Sequence, residues 1–445
     1  MSSHGSELES DAESAASPPL SPPSTPRPWY HISLRTIVLF LLPLFSLAGF
    51  YGTMILADAN GTFAGITALI ATKDPKFPGT NDELLMRYTN VGWLDKQLTI
   101  LVIFFAPVAD MNQGALSMSS IFGMGQFGAA WTLMVMESMR MGNTGRIVSF
   151  IGTFGFIFQN ISYTVTVPIW LFIHLLTSPV SKPSPGTQAN SVLLISPWDL
   201  RILPASITLS YIVPTILMGL DFPSTVSTLT HQRLIALWQP FPLWTVLIHF
   251  ILKLTLQSVS TIFSSSTEND ITSSKTPLGT TYLNSAKHVY RFILTLCMLT
   301  HLPILILSLI PASLIPPTFP TLHTRSQQTP LTIYIPYLPL SSHKVSSLTE
   351  GVHTFLLWDV YIGSFAFLLW GILLYRSATK EKAGGDSKGS LPVYMDGQRI
   401  GDGMLWTKLL AKVVVWCILA GPVGALTVLL WERDMIVKHK IKKGV

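Results

Sequence analysis

The sequence predicts an all-α, polytopic integral-membrane bundle of about eight transmembrane helices. Only 12% of its 445 residues are charged, about half the share that is typical of a soluble globular protein. Hydrophobic residues make up 49% of the chain, and the mean hydropathy is +0.46. Apolar segments of about 20 residues, the length that crosses a bilayer, recur along the chain. A soluble enzyme is therefore excluded.

The apolar segments predict eight spans, at residues 34–56, 116–136, 147–176, 202–220, 234–254, 289–310, 355–374 and 405–430. A further apolar segment at 98–108 is too short to cross a bilayer alone and runs into polar residues at 110–113. It predicts a re-entrant or broken span. The segments at 57–96, 177–197 and 311–347 are predicted to be surface connections.

Three regions are expected along the chain. Residues 1–28 are acidic and rich in Ser and Pro, which predicts a disordered tail. Residues 29–431 form the transmembrane domain, and residues 432–445 form a basic tail, which the positive-inside rule places in the cytoplasm. Lys442 and Lys443 resemble a dilysine retrieval signal and predict the endoplasmic reticulum. A second basic cluster, at residues 376–388, lies at the opposite end of the last predicted span and conflicts with this orientation.

Several classes of chemistry lack their motifs. Cys297 and Cys417 lie in apolar segments, so neither a disulfide framework nor a thiolate metal site is predicted. The sequence has no HExxH, GxSxG, P-loop or CxxC motif, and no paired aspartates of the kind that hold magnesium against a diphosphate. The basic residues are scattered, so nucleic acid is not an expected partner. We predict no metal and no cofactor.

Acidic residues at membrane depth are the candidates for chemistry, because an ionised side chain there costs roughly 2.5–3.5 kcal/mol. Asp110 follows the 98–108 segment, three residues after Pro107. Burial favours the neutral form of a carboxyl, which is the form that can protonate an olefin or an epoxide oxygen. Asp110 is therefore the predicted proton donor, with a helix-capping aspartate as the alternative.

Glu137 ends a predicted span, and Arg140 follows three residues later, a spacing that allows an ion pair on one helix face. An ionised Glu137 could assist by stabilising a cation, or could be a salt bridge without a catalytic role. Asp95 lies beside Trp93, which favours an interfacial, structural position for it.

Asp359 lies at the head of a late span, between Trp358 and Tyr361. Aromatic faces stabilise cations by about 0.5–2 kcal/mol each. Aromatic residues at span ends are also common membrane-interface anchors, so both interpretations of this cluster stay open.

Four stretches carry a family resemblance: residues 92–110 (GWLDKQLTILVIFFAPVAD), Gly125-Gln126, residues 137–143 (ESMRMGN) and residues 174–179 (HLLTSP). Together they resemble the fungal membrane-bound terpene cyclases of meroterpenoid biosynthesis, of the ascofuranone and macrophorin type. The resemblance is strongest at 92–179. It implies an enzyme that protonates the terminal olefin or epoxide of a farnesyl chain on an aromatic or quinone-like head group and closes rings without a metal. Of the acidic candidates, Asp95, Asp110 and Glu137 fall inside the matching stretch.

The leading hypothesis is therefore a terpene cyclase acting on a prenylated phenolic or quinone-like small molecule within the bilayer, alongside other enzymes of its pathway. The alternatives are a proton- or cation-coupled transporter or lipid-handling protein, in which the same acids bind protons or ions, and a non-catalytic membrane scaffold.

Overall fold

The computed structural model describes residues 33–182, 192–264, 278–316, 318, 320–379, 393–395, 398–400 and 402–443. The predicted tail at 1–28 lies outside the described residues. The helices are α1 Leu34–Ala59, α2 Thr62–Ile70, α3 Gly92–Ala109, α4 Ala115–Ser138, α5 Ile151–Asn160, α6 Tyr163–Thr177, α7 Pro197–Met218, α8 Thr228–Trp238, α9 Phe241–Ser264, α10 Leu278–Leu309, α11 Pro320–Ser326, α12 Pro330–Tyr334, α13 Leu348–Thr379 and α14 Asp402–Lys443. Two short strands, Val393–Met395 and Gln398–Ile400, pair antiparallel.

Within the described residues, seven helices are long and apolar enough to cross a membrane, so the predicted all-α polytopic bundle is confirmed. Helix α4, with 24 residues, is buried along most of its length and packs in the centre against α10 and α13. The prediction that the 98–108 segment is too short to cross a bilayer, and so is a re-entrant or broken span, is wrong. Helix α3 is one continuous helix of 18 residues that begins at Gly92, so residues 92–96 of the predicted 57–96 surface connection belong to the helix.

The span predicted at 147–176 is instead a helical hairpin. Helix α5 ends at Asn160, and Ser162 starts α6 by accepting the backbone N–H of Val165 with its hydroxyl. The Trp170 indole donates to the Val148 carbonyl at 3.2 Å, although 22 residues of one straight helix would separate them by about 33 Å. The two helices therefore lie side by side, and their turn is inside the bundle.

Helix α14 is a second hairpin. Lys412 and Glu432 form an ion pair at 2.6 Å, whereas 20 residues of straight helix would hold them about 30 Å apart. The reversal is at Gly421, whose φ of 73° and ψ of 175° interrupt the helix before Pro422. Both ends of α14 consequently lie at the same end of the bundle, so the last predicted span is not one straight helix with its two ends on opposite sides.

Gln126, in the middle of α4, holds the tip of the α14 hairpin. Its Nε2 donates to the Ala420 carbonyl at 3.0 Å, and its Oε1 accepts the Val423 N–H at 3.0 Å. A Cβ on Gly421 would lie 2.6 Å from the Gln126 amide atoms, so only glycine fits this contact. The buried amide replaces the helix hydrogen bonds that the reversal breaks.

Two of the predicted surface connections contain packed structure. The 57–96 segment holds α2 and the start of α3, and the 311–347 segment holds α11 and α12. Ile333 of α12 is fully buried beside Met118 and Ile304. The span predicted at 234–254 is likewise divided, into α8 and α9, at Gln239–Pro240.

Candidate active site

An aromatic-walled cavity of about 210 Å³, here called the inner cavity, lies at the centre of the bundle. Its walls come from α1, α2, α3, α4, α5, α8 and α13 and from the turn between α5 and α6. The lining residues are Met54, Phe63, Ile66, Gln97, Ile100, Leu101, Phe104, Phe105, Ser119, Ser120, Phe122, Gly123, Met124, Phe127, Phe158, Gln159, Asn160, Ile161, Ser162, Trp238, Phe355, Leu356, Leu357, Asp359 and Val360. Its position between several helices is typical of a small-molecule site in a helical bundle.

Of the described residues that line the inner cavity, Asp359 is the only one with an ionisable side chain. It lies on α13 and is 4% exposed. Its Oδ1 accepts the backbone N–H of Thr164 at 2.9 Å. Thr164 belongs to the first turn of α6, where backbone N–H groups are free of helix partners and the helix dipole favours negative charge. The α5–α6 hairpin thus brings a positive helix end to a buried carboxyl.

The contact between α13 and the start of α6 requires a residue without a side chain. A Cβ on Gly363, one turn beyond Asp359, would lie 2.4 Å from the Tyr163 ring. Glycine therefore lets the first turn of α6 approach α13 closely enough for the Thr164 amide to reach the carboxyl.

Aromatic rings surround the rest of the inner cavity. Phe104 contacts Phe355 with ring centroids 5.0 Å apart, and Phe105 contacts Trp238 at 5.1 Å. Phe127 adds a fifth lining ring, whose centroid is 4.6 Å from that of the Tyr163 ring. Such rings present faces that attract positive charge while excluding water. The arrangement can protonate an apolar chain and protect the resulting carbocation.

A larger cavity of about 590 Å³, here called the outer cavity, adjoins the inner one and shares Gln97, Leu101, Gln159 and Asn160 with it. Side-chain amides pair at this junction. Gln97 Nε2 donates to Asn160 Oδ1 at 3.2 Å, and Gln159 Nε2 donates to Gln239 Oε1 at 2.9 Å. We call these four amide side chains the collar. Trp93 also lines the outer cavity, and its side chain is 71% exposed.

Glu137 lies in a buried ion network at the other end of α4. Its carboxylate accepts two hydrogen bonds from Arg140, at 2.8 and 2.9 Å, and one from Arg433 at 2.7 Å. Arg140 also pairs with Asp434 at 2.9 Å. The predicted Glu137–Arg140 ion pair is thus confirmed, but it is buried rather than superficial. Glu137 is ten residues from Phe127 along α4, about 15 Å from the inner cavity.

Asp110 and Asp95 line neither cavity. Asp110 follows the last residue of α3 and is partly buried. Its carboxylate accepts the Asn112 N–H at 3.0 Å and a hydrogen bond from the Gln113 side chain. The Asp95 carboxylate accepts the backbone N–H groups of the turn before α3, from Tyr88 at 3.0 Å and Thr89 at 2.7 Å. Both carboxylates therefore hold helix-end turns.

Comparison with known proteins identifies the family. A family model described as the CtvD domain matches residues 37–438. The chain belongs to the CtvD-domain family.

Curated relatives agree with this assignment. The chain is 27% identical to terpene cyclase ascI of Acremonium egyptiacum over 79% of each protein. It is 26% identical to terpene cyclase ctvD of Aspergillus terreus, over 81% of this chain and 89% of that protein. With terpene cyclase sdgD of Emericella nidulans it shares 23% identity over 92% of this chain and 98% of that protein. The predictions of an enzyme of the terpene cyclase class and of the family resemblance are confirmed. No solved structure matches the chain.

In this CtvD-domain protein, sequence reasoning missed the partners that organise the site. Arg433 and Asp434 fall in the predicted C-terminal tail, yet they are 2% and 3% exposed and form ion pairs with Glu137 and Arg140. The sequence feature that could have indicated them is a pair of oppositely charged residues close after the apolar segment 405–430. The collar amides Gln97 and Asn160 gave no comparable signal, because they meet only after α3 and the α5–α6 hairpin pack together. Among the residues that the structure describes, no three His, Cys, Asp or Glu side chains are grouped closely enough to hold a metal ion.

Proposed function

We propose that the protein cyclises the farnesyl or epoxyfarnesyl chain of a meroterpenoid precursor that carries an aromatic or quinone-like head group. The observation that carries the proposal is Asp359, the ionisable side chain of the aromatic-walled inner cavity. The terpene cyclase relatives support the reaction class. The pathway is one of fungal secondary metabolism, and the reaction uses protonation rather than a metal.

Protonated Asp359 starts the reaction. With an olefin, the proton is added to the CH carbon of the terminal double bond, the π bond breaks and a tertiary carbocation forms at the dimethyl-substituted carbon. With an epoxide, the proton is added to the oxygen, the carbon–oxygen bond breaks and a hydroxyl is formed beside the carbocation. Neighbouring double bonds then attack in turn to close rings. Loss of a proton from carbon, or attack by a phenolic oxygen that loses its own proton, ends the sequence and restores the proton count.

The surroundings of Asp359 suit both the proton transfer and the carbocation steps that follow it. Burial at 4% exposure keeps water, a competing nucleophile, away from the cation. The Thr164 N–H, at 2.9 Å, stabilises the carboxylate that remains after proton transfer. The rings of Phe104, Phe105 and Phe127 stabilise the migrating positive charge.

The other acidic candidates are proposed to act at a distance. We assign proton donation to Asp359 in place of Asp110, because Asp359 lines the cavity and Asp110 caps a helix end. Glu137 is proposed to join α4 to α14 through Arg140 and Arg433. Asp95 is proposed to shape the turn that borders the outer cavity.

The reaction is tested in membranes from a heterologous fungus that expresses the full chain. Farnesylated phenol and its terminal epoxide are supplied separately, in H₂O and in D₂O, with and without EDTA. We expect a cyclised isomer of unchanged mass in H₂O and no effect of EDTA. After washing in H₂O, one deuterium bound to carbon identifies olefin protonation, and none identifies epoxide opening. No cyclised product from either substrate, or product only without EDTA, would reject the proposal.

We also propose that the protein resides in the endoplasmic reticulum through Lys442 and Lys443, where other enzymes of its pathway can exchange substrates with it. Changing both lysines to serine should move a tagged chain to later secretory membranes. The matched control changes Lys438 and Lys440 to serine. Unchanged location in the Lys442/Lys443 variant would contradict the signal.

A further inference from the structure

Two arginines of the outer cavity have no partner among the residues that the structure describes. Arg87 lies in the turn before α3, Arg233 lies on α8, and both line this cavity with exposed side chains. Neither guanidinium has a hydrogen bond, an ion pair or a ring contact to any residue in the described part of the chain. By contrast, the nearby Gln232 is held at 2.7 Å by the Leu85 N–H. The two arginines are therefore available to a ligand.

The rest of the outer cavity does not neutralise this positive charge. Its described lining residues include no aspartate or glutamate. The adjacent Asp95 already accepts three hydrogen bonds from Tyr88 and Thr89, so its carboxylate is engaged with the turn. The outer cavity thus carries two positive side chains, which favour an anionic ligand.

The remaining lining is aromatic and apolar. Trp93, Phe156 and Trp244 face the same cavity. Guanidinium groups bind carboxylates through paired hydrogen bonds, and they also stack on aromatic rings. The combination fits an aryl ring that bears a carboxylate or a phenolate.

The collar connects this cavity to Asp359. Gln97 lies eight residues before Phe105 on α3, about 12 Å along the helix. A ligand held by the arginines can therefore place a flexible apolar tail past Gln97 and into the inner cavity, where Phe104 and Asp359 lie. The two cavities match the two chemical halves of a prenylated aromatic acid.

We propose that Arg87 and Arg233 bind the head group of the substrate as an aryl carboxylate or phenolate, while its prenyl chain passes the collar to Asp359. The inference rests on the proposed function and specifies the substrate class as acidic prenylated aromatics. It makes the outer cavity a specificity site that is separate from the residues that transfer the proton.

The test measures binding rather than turnover. A hydroxybenzoic acid with a saturated farnesyl chain, which cannot cyclise, and its O-methylated methyl ester are titrated into the full chain in phosphatidylcholine nanodiscs. We expect the acid to bind more tightly than the neutral ester. Arg87→Gln and Arg233→Gln should each weaken binding of the acid about tenfold, as for the loss of one charge-assisted hydrogen bond, and leave binding of the ester unchanged. Arg291→Gln, at an exposed position of α10 that lines neither cavity, is the matched control and should change neither affinity.

Equal affinity for acid and ester, or an equal loss of both in the arginine variants, would overturn the inference. A further set of titrations uses nanodiscs that also contain phosphatidylglycerol. If the arginine variants lose only their affinity for this lipid and keep the preference for the acid, the arginines bind lipid headgroups and the inference is wrong. Because the ligand cannot react, a parent protein that binds the acid as expected but cyclises no unsaturated analogue would support the head-group site and reject the proposed function.

Discussion

Replacing Glu137 with Gln is expected to destabilise the fold while leaving the chemistry of folded molecules intact. The buried network is neutral, because the charges of Glu137 and Asp434 balance those of Arg140 and Arg433. The neutral amide leaves one uncompensated positive charge among side chains that are at most 3% exposed. Breaking one partner of a buried pair costs about 3–5 kcal/mol. We expect a loss of that size in the free energy of unfolding.

The double variant Glu137→Gln/Arg433→Gln is the matched control. It restores neutrality, since Arg140 and Asp434 remain paired at 2.9 Å and the Tyr290 hydroxyl still donates to Asp434 at 2.8 Å. Its loss of stability should therefore be smaller than the sum of the two single losses. Denaturant unfolding in micelles measures stability, and cyclisation per folded molecule measures chemistry. Unchanged stability with a loss of cyclisation in Glu137→Gln would refute this reasoning and make Glu137 a catalytic group.

Three further predictions concern the hairpin, the cavity wall and the topology. Gln126→Leu leaves the Ala420 carbonyl and the Val423 N–H unpaired. Each unpaired buried group costs about 1–3 kcal/mol, so the midpoint of denaturant unfolding should fall strongly. An unchanged midpoint would contradict the conclusion that the Gln126 amide holds the α14 hairpin. Phe104→Leu should slow cyclisation about 2–30-fold or divert it to early-terminated products, which mass spectrometry detects. The matched control, Phe40→Leu at an exposed position of α1, should do neither. Equal effects of the two variants would contradict the cation-stabilising role of Phe104. Epitopes placed after Thr379 and at the C-terminus should be accessible from the same side of sealed membranes, and opposite accessibility would exclude the α14 hairpin.

The membrane class could be predicted from composition, but the two hairpins could not be predicted from apolar length alone. A hydrophobic run of about 20–30 residues satisfies the requirement for a span whether it crosses the bilayer or reverses within it. The reversals did leave local signals. Gly421-Pro422 is a turn dipeptide in the middle of an apolar run. The polar residues Gln159, Asn160 and Ser162 interrupt the other run at its centre.

The candidate site was harder to predict because its walls come from segments far apart in the sequence. Asp359 was recognisable as an acid at membrane depth, but its sequence neighbours Trp358 and Tyr361 are not among the residues that line the inner cavity. The Trp358 indole instead donates to the Tyr337 carbonyl, and the Tyr361 hydroxyl to the Tyr334 carbonyl. Apart from Phe355 of α13, the rings that line this cavity are supplied by α2, α3, α4, α5 and α8, which only tertiary packing reveals. For the same reason Asp110, beside Pro107 in a matching stretch, looked the better donor from sequence.

The proton-donor assignment is tested most directly by the cyclisation rate of Asp359→Asn compared with Asp110→Asn, each normalised to the amount of folded protein. A positioned general acid contributes about 10²–10⁴-fold to a rate. We predict a loss in that range for Asp359→Asn, partial recovery in Asp359→Glu, and a rate close to that of the parent for Asp110→Asn. A parent-like rate in Asp359→Asn, or a comparable loss in Asp110→Asn with its fold intact, would contradict the assignment.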